Sequence, residues 1–151
     1  MELGTIEREI DVDAAPDVVF DVVSRPQHIS EWWPDDAGFE PVPGGVGELA
    51  WHNADTGESM TVALEVVEVE RPRRFAFRWC FAEPDRVGPS LLVTFDLMPI
   101  GAGTRIRMTE TGFREMGWEV AVLEEQYAEH ATSWDYYLPR LGAYVIRLVS
   151  S

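Results

Sequence analysis

His28-Ile29-Ser30-Glu31-Trp32-Trp33 follows an Arg25-Pro26 break and is closed by Pro34. Ile29, Trp32 and Trp33 share one face of a short helical turn through i,i+3 and i,i+4 spacing. Working upstream, Ala14-Ala15-Pro16 places a proline at the first position of a helix, and Asp17 at its positive dipole end. Val19, Phe20 and Val23 give that helix an apolar stripe, and Pro26 stops it after barely three turns. Before it, Ile6, Arg8, Ile10 and Val12 alternate with Glu7, Glu9 and Asp11, which predicts a strand with one wet face, although Arg8 breaks the apolar set. The tryptophan pair therefore closes the second of two short helices that follow a single strand.

Downstream of residue 37 the period changes to two. Gly44-Gly45-Val46-Gly47 reads as a turn, after which Leu49 and Trp51 alternate with Glu48, Ala50 and His52. Asn53-Ala54-Asp55-Thr56-Gly57-Glu58 is a polar hairpin loop. Thr61 to Glu70 is a long strand whose parity slips at Val66-Val67, the mark of a bulge or sharp twist. Phe75, Phe77, Trp79 and Phe81 form one alternation, and Leu91, Val93, Phe95 and Leu97 a second. In the next strand Ile106, Met108 and Glu110 share one parity. From Val120 the period changes again. Leu123, Tyr127, Ala131, Trp134, Leu138, Leu141, Val145 and Leu148 continue an apolar stripe spaced by threes and fours, the signature of one long helix, with a kink expected near Asp135 because of Pro139. One strand, two short helices, a run of antiparallel strands and a terminal helix predict an α+β chain, read as one domain over residues 1–151, with the helix stripe against the concave face of the sheet.

Composition narrows the partners. Fifteen net negative charges oppose binding to nucleic acid, whose phosphates need basic residues, and to anionic membrane surfaces. Their plain role is solubility through self-repulsion, and the alternative is an acidic face for a basic partner. Cys80 is the only cysteine, which excludes a disulfide within the chain, and its aromatic neighbours make it a small core hydrophobe. Met1-Glu2-Leu3-Gly4 has no basic and apolar leader character, and no apolar run approaches the ~20 residues that span a bilayer, so a cytoplasmic location is expected.

The order of these motifs resembles the START-like, helix-grip superfamily (SRPBCC). Within it the chain is similar to the branch named for homology to the activator of the heat-shock-chaperone ATPase. The matching residues are Ala15-Pro16 with Val18-Val19-Phe20, then His28 to Trp33, then Gly44-Gly45 before a strand. They continue through Val93-Thr94-Phe95-Asp96-Leu97, Gly103-Thr104-Arg105-Ile106 and Thr109-Glu110-Thr111-Gly112-Phe113 to Gly117-Trp118 at the last helix. The resemblance implies a curved antiparallel sheet gripping the long helix around a hydrophobic cavity. Relatives in the superfamily act as cyclases or aromatases on polyketides. The eukaryotic activator carries a separate N-terminal domain that has no counterpart in these residues.

The candidate chemistry is sparse. Asp55-Thr56-Gly57 matches the aspartic-protease tripeptide, but it lies in a polar turn without apolar strand flanks and reads as a hairpin turn. Gly44 to Gly47 lacks the Gly-Lys-Ser/Thr ending of a phosphate loop. His28, His52 and His130 have no second ligand at metal-binding spacing, so no metal and no cofactor are expected. His130 flanks the helix stripe between Tyr127 and Trp134, facing either the cavity or solvent. Glu110, if its parity faces the cavity, is a carboxylate against apolar walls, able to serve as a general acid or base or as a ligand anchor; the alternative is a strand end that reaches water or an arginine. Trp32 and Trp33 are either a plug seating the short helices or part of the cavity wall.

The resulting expectation is a domain that binds a small apolar or amphipathic molecule between sheet and helix. Trp51, Phe77, Trp79, Phe95 and Met108 would line the sheet side, with Trp32 and Trp33 at the edge. Tyr127 and Trp134 would line the helix side, and Glu110 and His130 would orient the ligand. Two alternatives stand beside it. One is a polyketide cyclase/aromatase-like enzyme with Glu110 and His130 as catalytic candidates. The other is a chaperone-ATPase activator or another interaction module, monomeric or homodimeric.

Overall fold

A computed structural model describes residues 4–80 and 90–150. Strand β1 (Thr5–Val12) leads into α1 (Pro16–Ser24) and α2 (Pro26–Ile29). Six strands follow: β2 (Asp36–Phe39), β3 (Val46–His52), β4 (Ser59–Glu70), β5 (Arg74–Cys80), β6 (Leu92–Ile100) and β7 (Gly103–Thr111). A 3-10 turn (Arg114–Met116) and Gly117 at φ +77° then reverse the chain into α3 (Val120–Ser150). That backbone angle is open to glycine at little steric cost. The strands form one antiparallel sheet in the order β1-β7-β6-β5-β4-β3-β2. This is the helix-grip α+β architecture.

The sheet separates two chemistries by parity. Its inner face carries Ile6, Phe75, Phe77, Val93, Phe95, Ile106 and Met108, all buried. Its outer face carries alternating charge. In one cross-strand row Glu9, Arg107, Asp96 and Arg74 are successive partners, with Arg107 Nε bonded to Glu9 at 3.1 Å and Arg74 Nε to Asp96 at 2.6 Å. Opposite charges directly across strands support register, though each exposed pair contributes little alone. The parity slip at Val66-Val67 is a bulge between Val66 and Glu68, which leaves Val67 exposed and returns Val69 to the inner side.

Helix α3 lies on the inner face through Trp134, Leu138, Leu141 and Val145, spaced by four, three and four. It stays helical across Pro139. Val120, the first residue of the sequence stripe, is 69% exposed. Arg8 breaks the apolar parity of β1 for a local reason: its guanidinium reaches α3 and binds Asp135 at 2.7 Å. Of the two short helices, α1 packs on β5, β6 and β7 and touches α3, while α2 packs on β2 at the sheet's edge. Trp32 Nε1 donates to the Val22 carbonyl of α1 at 3.0 Å, so one tryptophan ties the turn after α2 back onto α1.

Candidate functional site

The turn after α2 places Trp33 at the centre of an aromatic cluster. Its ring stacks on Trp32 at 5.5 Å and 14°, and meets Trp134 at 4.8 Å, Trp79 at 5.6 Å, Phe77 at 5.9 Å and Trp51 at 6.0 Å. These rings come from the α2 turn, β3, β5 and α3. A cavity of about 480 Å³ lies on one side of the cluster. Trp33, Trp51, Trp79, Trp134 and Tyr137 wall it, with Met60 and Val62 from β4 at its outer side. Gln126, Glu129 and Ser133 of α3 form its rim. A second, more open groove of about 570 Å³ adjoins it beside the β3–β4 hairpin and shares Trp33, Trp51, Met60 and Tyr137.

Among the described residues, the chamber's buried polar focus is a single carboxylate. Glu110, on the inner parity of β7, is 0% exposed. Its Oε1 accepts the indole N–H of Trp134 at 2.9 Å, and its Oε2 that of Trp79 at 3.0 Å. His130 Nδ1 lies 2.9 Å from both carboxylate oxygens. Indole nitrogens only donate, so both carboxylate oxygens are held as acceptors. In the neutral ring, an Nδ1–H between them completes the set and leaves Nε2 as the acceptor of the imidazole. The Tyr137 hydroxyl is held above its ordinary range chiefly by burial, against the opposing effect of a hydrogen bond with Trp51. It therefore stays protonated at neutral pH and presents a donor where the two cavities meet.

The sequence candidates divide three ways. Trp33, Trp51, Trp79, Glu110, His130 and Trp134 all line the chamber. Trp32, Phe77, Phe95 and Met108 are fully buried in the packed core behind it, with Trp32 and Trp134 each set edge-on to Phe95. Tyr127 stands apart from the chamber. It packs against Phe113 and donates its hydroxyl to the Thr5 carbonyl of β1 at 3.0 Å. His28 and His52 are held elsewhere, by the Tyr144 hydroxyl at 2.7 Å and by Ser59 and Asp36, each at 2.7 Å. Asp55 to Gly57 form a turn in which Asn53 Oδ1 accepts the Asp55 and Thr56 N–H groups. Tyr137, Met60 and Val62 escaped the sequence reading. Tyr137 sits three residues after Trp134 and seven after His130, so helical spacing alone places it on the same face.

Among the described residues, no group of three or more His, Cys, Asp or Glu side chains is arranged to hold a metal ion. No helix among them is long and apolar enough to cross a membrane.

Comparison with known proteins gives the same architecture. A protein of Mesorhizobium loti, MLL2253, is 25% identical, with a TM-score of 0.73 over 95% of this chain and 97% of that one. CalU16 from Micromonospora echinospora is 21% identical, with a TM-score of 0.67 over 93% of this chain and 75% of that one. The Aha1 dimer from Colwellia psychrerythraea is 15% identical, with a TM-score of 0.68 over 91% and 92% of the two chains. No curated protein sequence matches the chain. Residues 13–145 match the family described as "Activator of Hsp90 ATPase homolog 1-like protein". A match over that span, on a helix-grip sheet closed by α3, means that this chain belongs to that family.

Proposed function

We propose that the chain binds a small amphipathic molecule in the chamber between α3 and strands β3 to β5. The observation that carries this reading is the pairing of an aromatic-walled space of about 480 Å³ with one buried polar focus, Glu110 and His130. Small-molecule sites are typically concave spaces of ~300–1,000 Å³, mostly apolar, with a few placed polar groups. The walls supply area and the focus supplies orientation.

Native mass spectrometry of the purified protein, with a thermal-shift screen of lipophilic compounds, tests it. Mass adducts and a raised Tm are expected for some compounds, and Ser133→Phe at the rim should abolish both while the variant keeps the wild-type circular dichroism spectrum. Absence of any adduct or shift across compound classes would sink the reading.

A second reading is supported by the Glu110–His130 pair itself. A carboxylate that orients an imidazole, whose far nitrogen has no protein partner among the described residues, is the arrangement of a general base. On that reading a bound substrate leaves with a changed mass after incubation with the wild type, and unchanged after incubation with His130→Ala. Identical masses in both incubations count against catalysis and leave binding untouched.

A further inference from the structure

We infer that the chamber's ligand is a free hydrophobic amine, bound as its ammonium ion with the charge against the aromatic walls and one N–H donated to His130 Nε2. This rests on the chamber being a binding site and adds the chemical class it takes. The first observation is a buried carboxylate whose one ionisable partner among the described residues is the His130 ring, 2.9 Å away and a cation only when protonated. Glu110 is fully buried, and its partners among the described residues are Trp79, Trp134 and His130. Among the described residues no arginine is bonded to it, and the chain has no lysine at all. A carboxylate taken out of water without a cation is a costly arrangement unless one arrives from elsewhere.

The second observation is the direction in which the site can still bond. With the His130 ring neutral, the two indole N–H groups and an Nδ1–H occupy the carboxylate, which leaves the imidazole Nε2 with a lone pair and no protein partner among the described residues. A ligand at that atom must donate a hydrogen bond. The third is the wall. Trp33, Trp51, Trp79, Trp134 and Tyr137 line the space, and the electron-rich face of such rings attracts a cation within ~6 Å of the ring centre. Among the described residues no arginine lines this chamber, whereas Glu129 stands at its rim and the chain as a whole carries 15 net negative charges, a field that draws cations inward. Arg140 belongs to the adjoining groove, where it donates to the Trp32 carbonyl at 3.2 Å and lies over the Tyr136 and Tyr137 rings. The ammonium end therefore lies toward His130 and the apolar body toward Trp51 and Met60. An anion would face Glu110, and a neutral molecule would leave its charge uncompensated.

Isothermal titration at neutral pH with four ligands that share one apolar body tests this: naphthylmethylamine, naphthylmethyl-trimethylammonium, naphthylmethanol and naphthylacetate. The amine should bind at least about tenfold more tightly than the alcohol, with the carboxylate weakest. The quaternary ion keeps the charge but has no N–H, and should fall between amine and alcohol. His130→Ala should weaken the amine to the level of the quaternary ion and leave the quaternary ion's affinity unchanged, a result that mere unfolding of the variant would not give. If the alcohol or the carboxylate matches or exceeds the amine, and Ser133→Phe blocks that binding, the amine assignment is overturned and the cavity reading survives. If none of the four binds, the amine assignment and the cavity reading fall together.

Discussion

Glu110 is placed so that two indoles and one imidazole spend their only inward-facing donors on a single carboxylate. Charge and hydrogen bonding pull in opposite directions here. Burial opposes the charge, while three donors reward the acceptor. Glu110→Gln separates the two effects, because a carboxamide offers one acceptor oxygen and one NH2 group. Whichever way it turns, an NH2 group faces either the Trp79 or the Trp134 N–H, and one buried donor loses its partner. Leaving a buried donor unpaired costs about 1–3 kcal/mol. We expect the donor loss to win, so Glu110→Gln should lower Tm, by about 2–4 °C for each kcal/mol in a chain of this size. Thermal unfolding followed by tryptophan fluorescence reads the change where it occurs. A Tm equal to or above the wild type would mean that removing the buried charge outweighs the orphaned N–H. Trp79→Phe, which deletes one donor and keeps most of the ring area, should cost less than Glu110→Gln.

At the scale of elements, α1 is held to the β4–β5 turn by charge as well as packing. Asp21 binds Arg71 at 2.9 Å and Arg25 at 2.8 Å, and the Arg71 guanidinium lies 5.1 Å from the centre of the Phe20 ring. Partial burial alone would push the Asp21 carboxyl up, but the hydrogen bonds and charges of Arg71 and Arg25 outweigh it and hold the group below its ordinary range. A carboxyl whose folded pKa is depressed stabilises the fold at every pH above its unfolded value of about 3.9, and loses that contribution as pH falls through the folded value. Asp21→Asn should therefore cost about 1 kcal/mol at neutral pH, the scale of a partly exposed ion pair, and nothing measurable near pH 2. Urea unfolding of both proteins at the two pH values checks this, and a cost that persists undiminished at acid pH would assign it to packing.

The elements themselves were largely legible in the sequence. The parities of β5, β6 and β7, the bulge at Val66-Val67 and the reach of α3 followed from period and punctuation, because those signals are local. Glu110 and His130 were legible as a carboxylate on an inward parity and a histidine beside a stripe. Their meeting with Trp79 and Trp134 was not, since it depends on side-chain directions on β5, β7 and α3. Arg8 read as a flaw in β1 because its partner, Asp135, lies 127 residues away in sequence. Val120 read as part of the stripe, yet the first turn of α3 leaves it exposed.

At the scale of the whole molecule, packing and charge make opposite demands. The helix-grip core holds the rings in place, while the chain carries 27 acidic residues against 12 basic ones, every one of them an arginine. Even if each arginine neutralised one carboxylate, fifteen would remain, and their mutual repulsion opposes the compact state. The outer-face pairs such as Arg105–Asp11 and Arg107–Glu9 act the other way. Salt weakens both, but not equally. Contact pairs at hydrogen-bond distance lose little to screening, and exposed pairs of this kind contribute only ~0–1 kcal/mol each. Repulsion among unpaired carboxylates acts over tens of ångströms, and it is cut off as the screening length falls from about 30 Å at 0.01 M salt to about 8 Å at 0.15 M. The long-range term therefore dominates the response, and Tm should rise between 0.01 M and 0.15 M sodium chloride, by a few degrees on the scale of ~2–4 °C per kcal/mol. Differential scanning calorimetry across that range measures it directly. A Tm that falls with salt would show that the arginine–carboxylate rows, rather than the packed rings beneath them, carry the electrostatic balance of the fold.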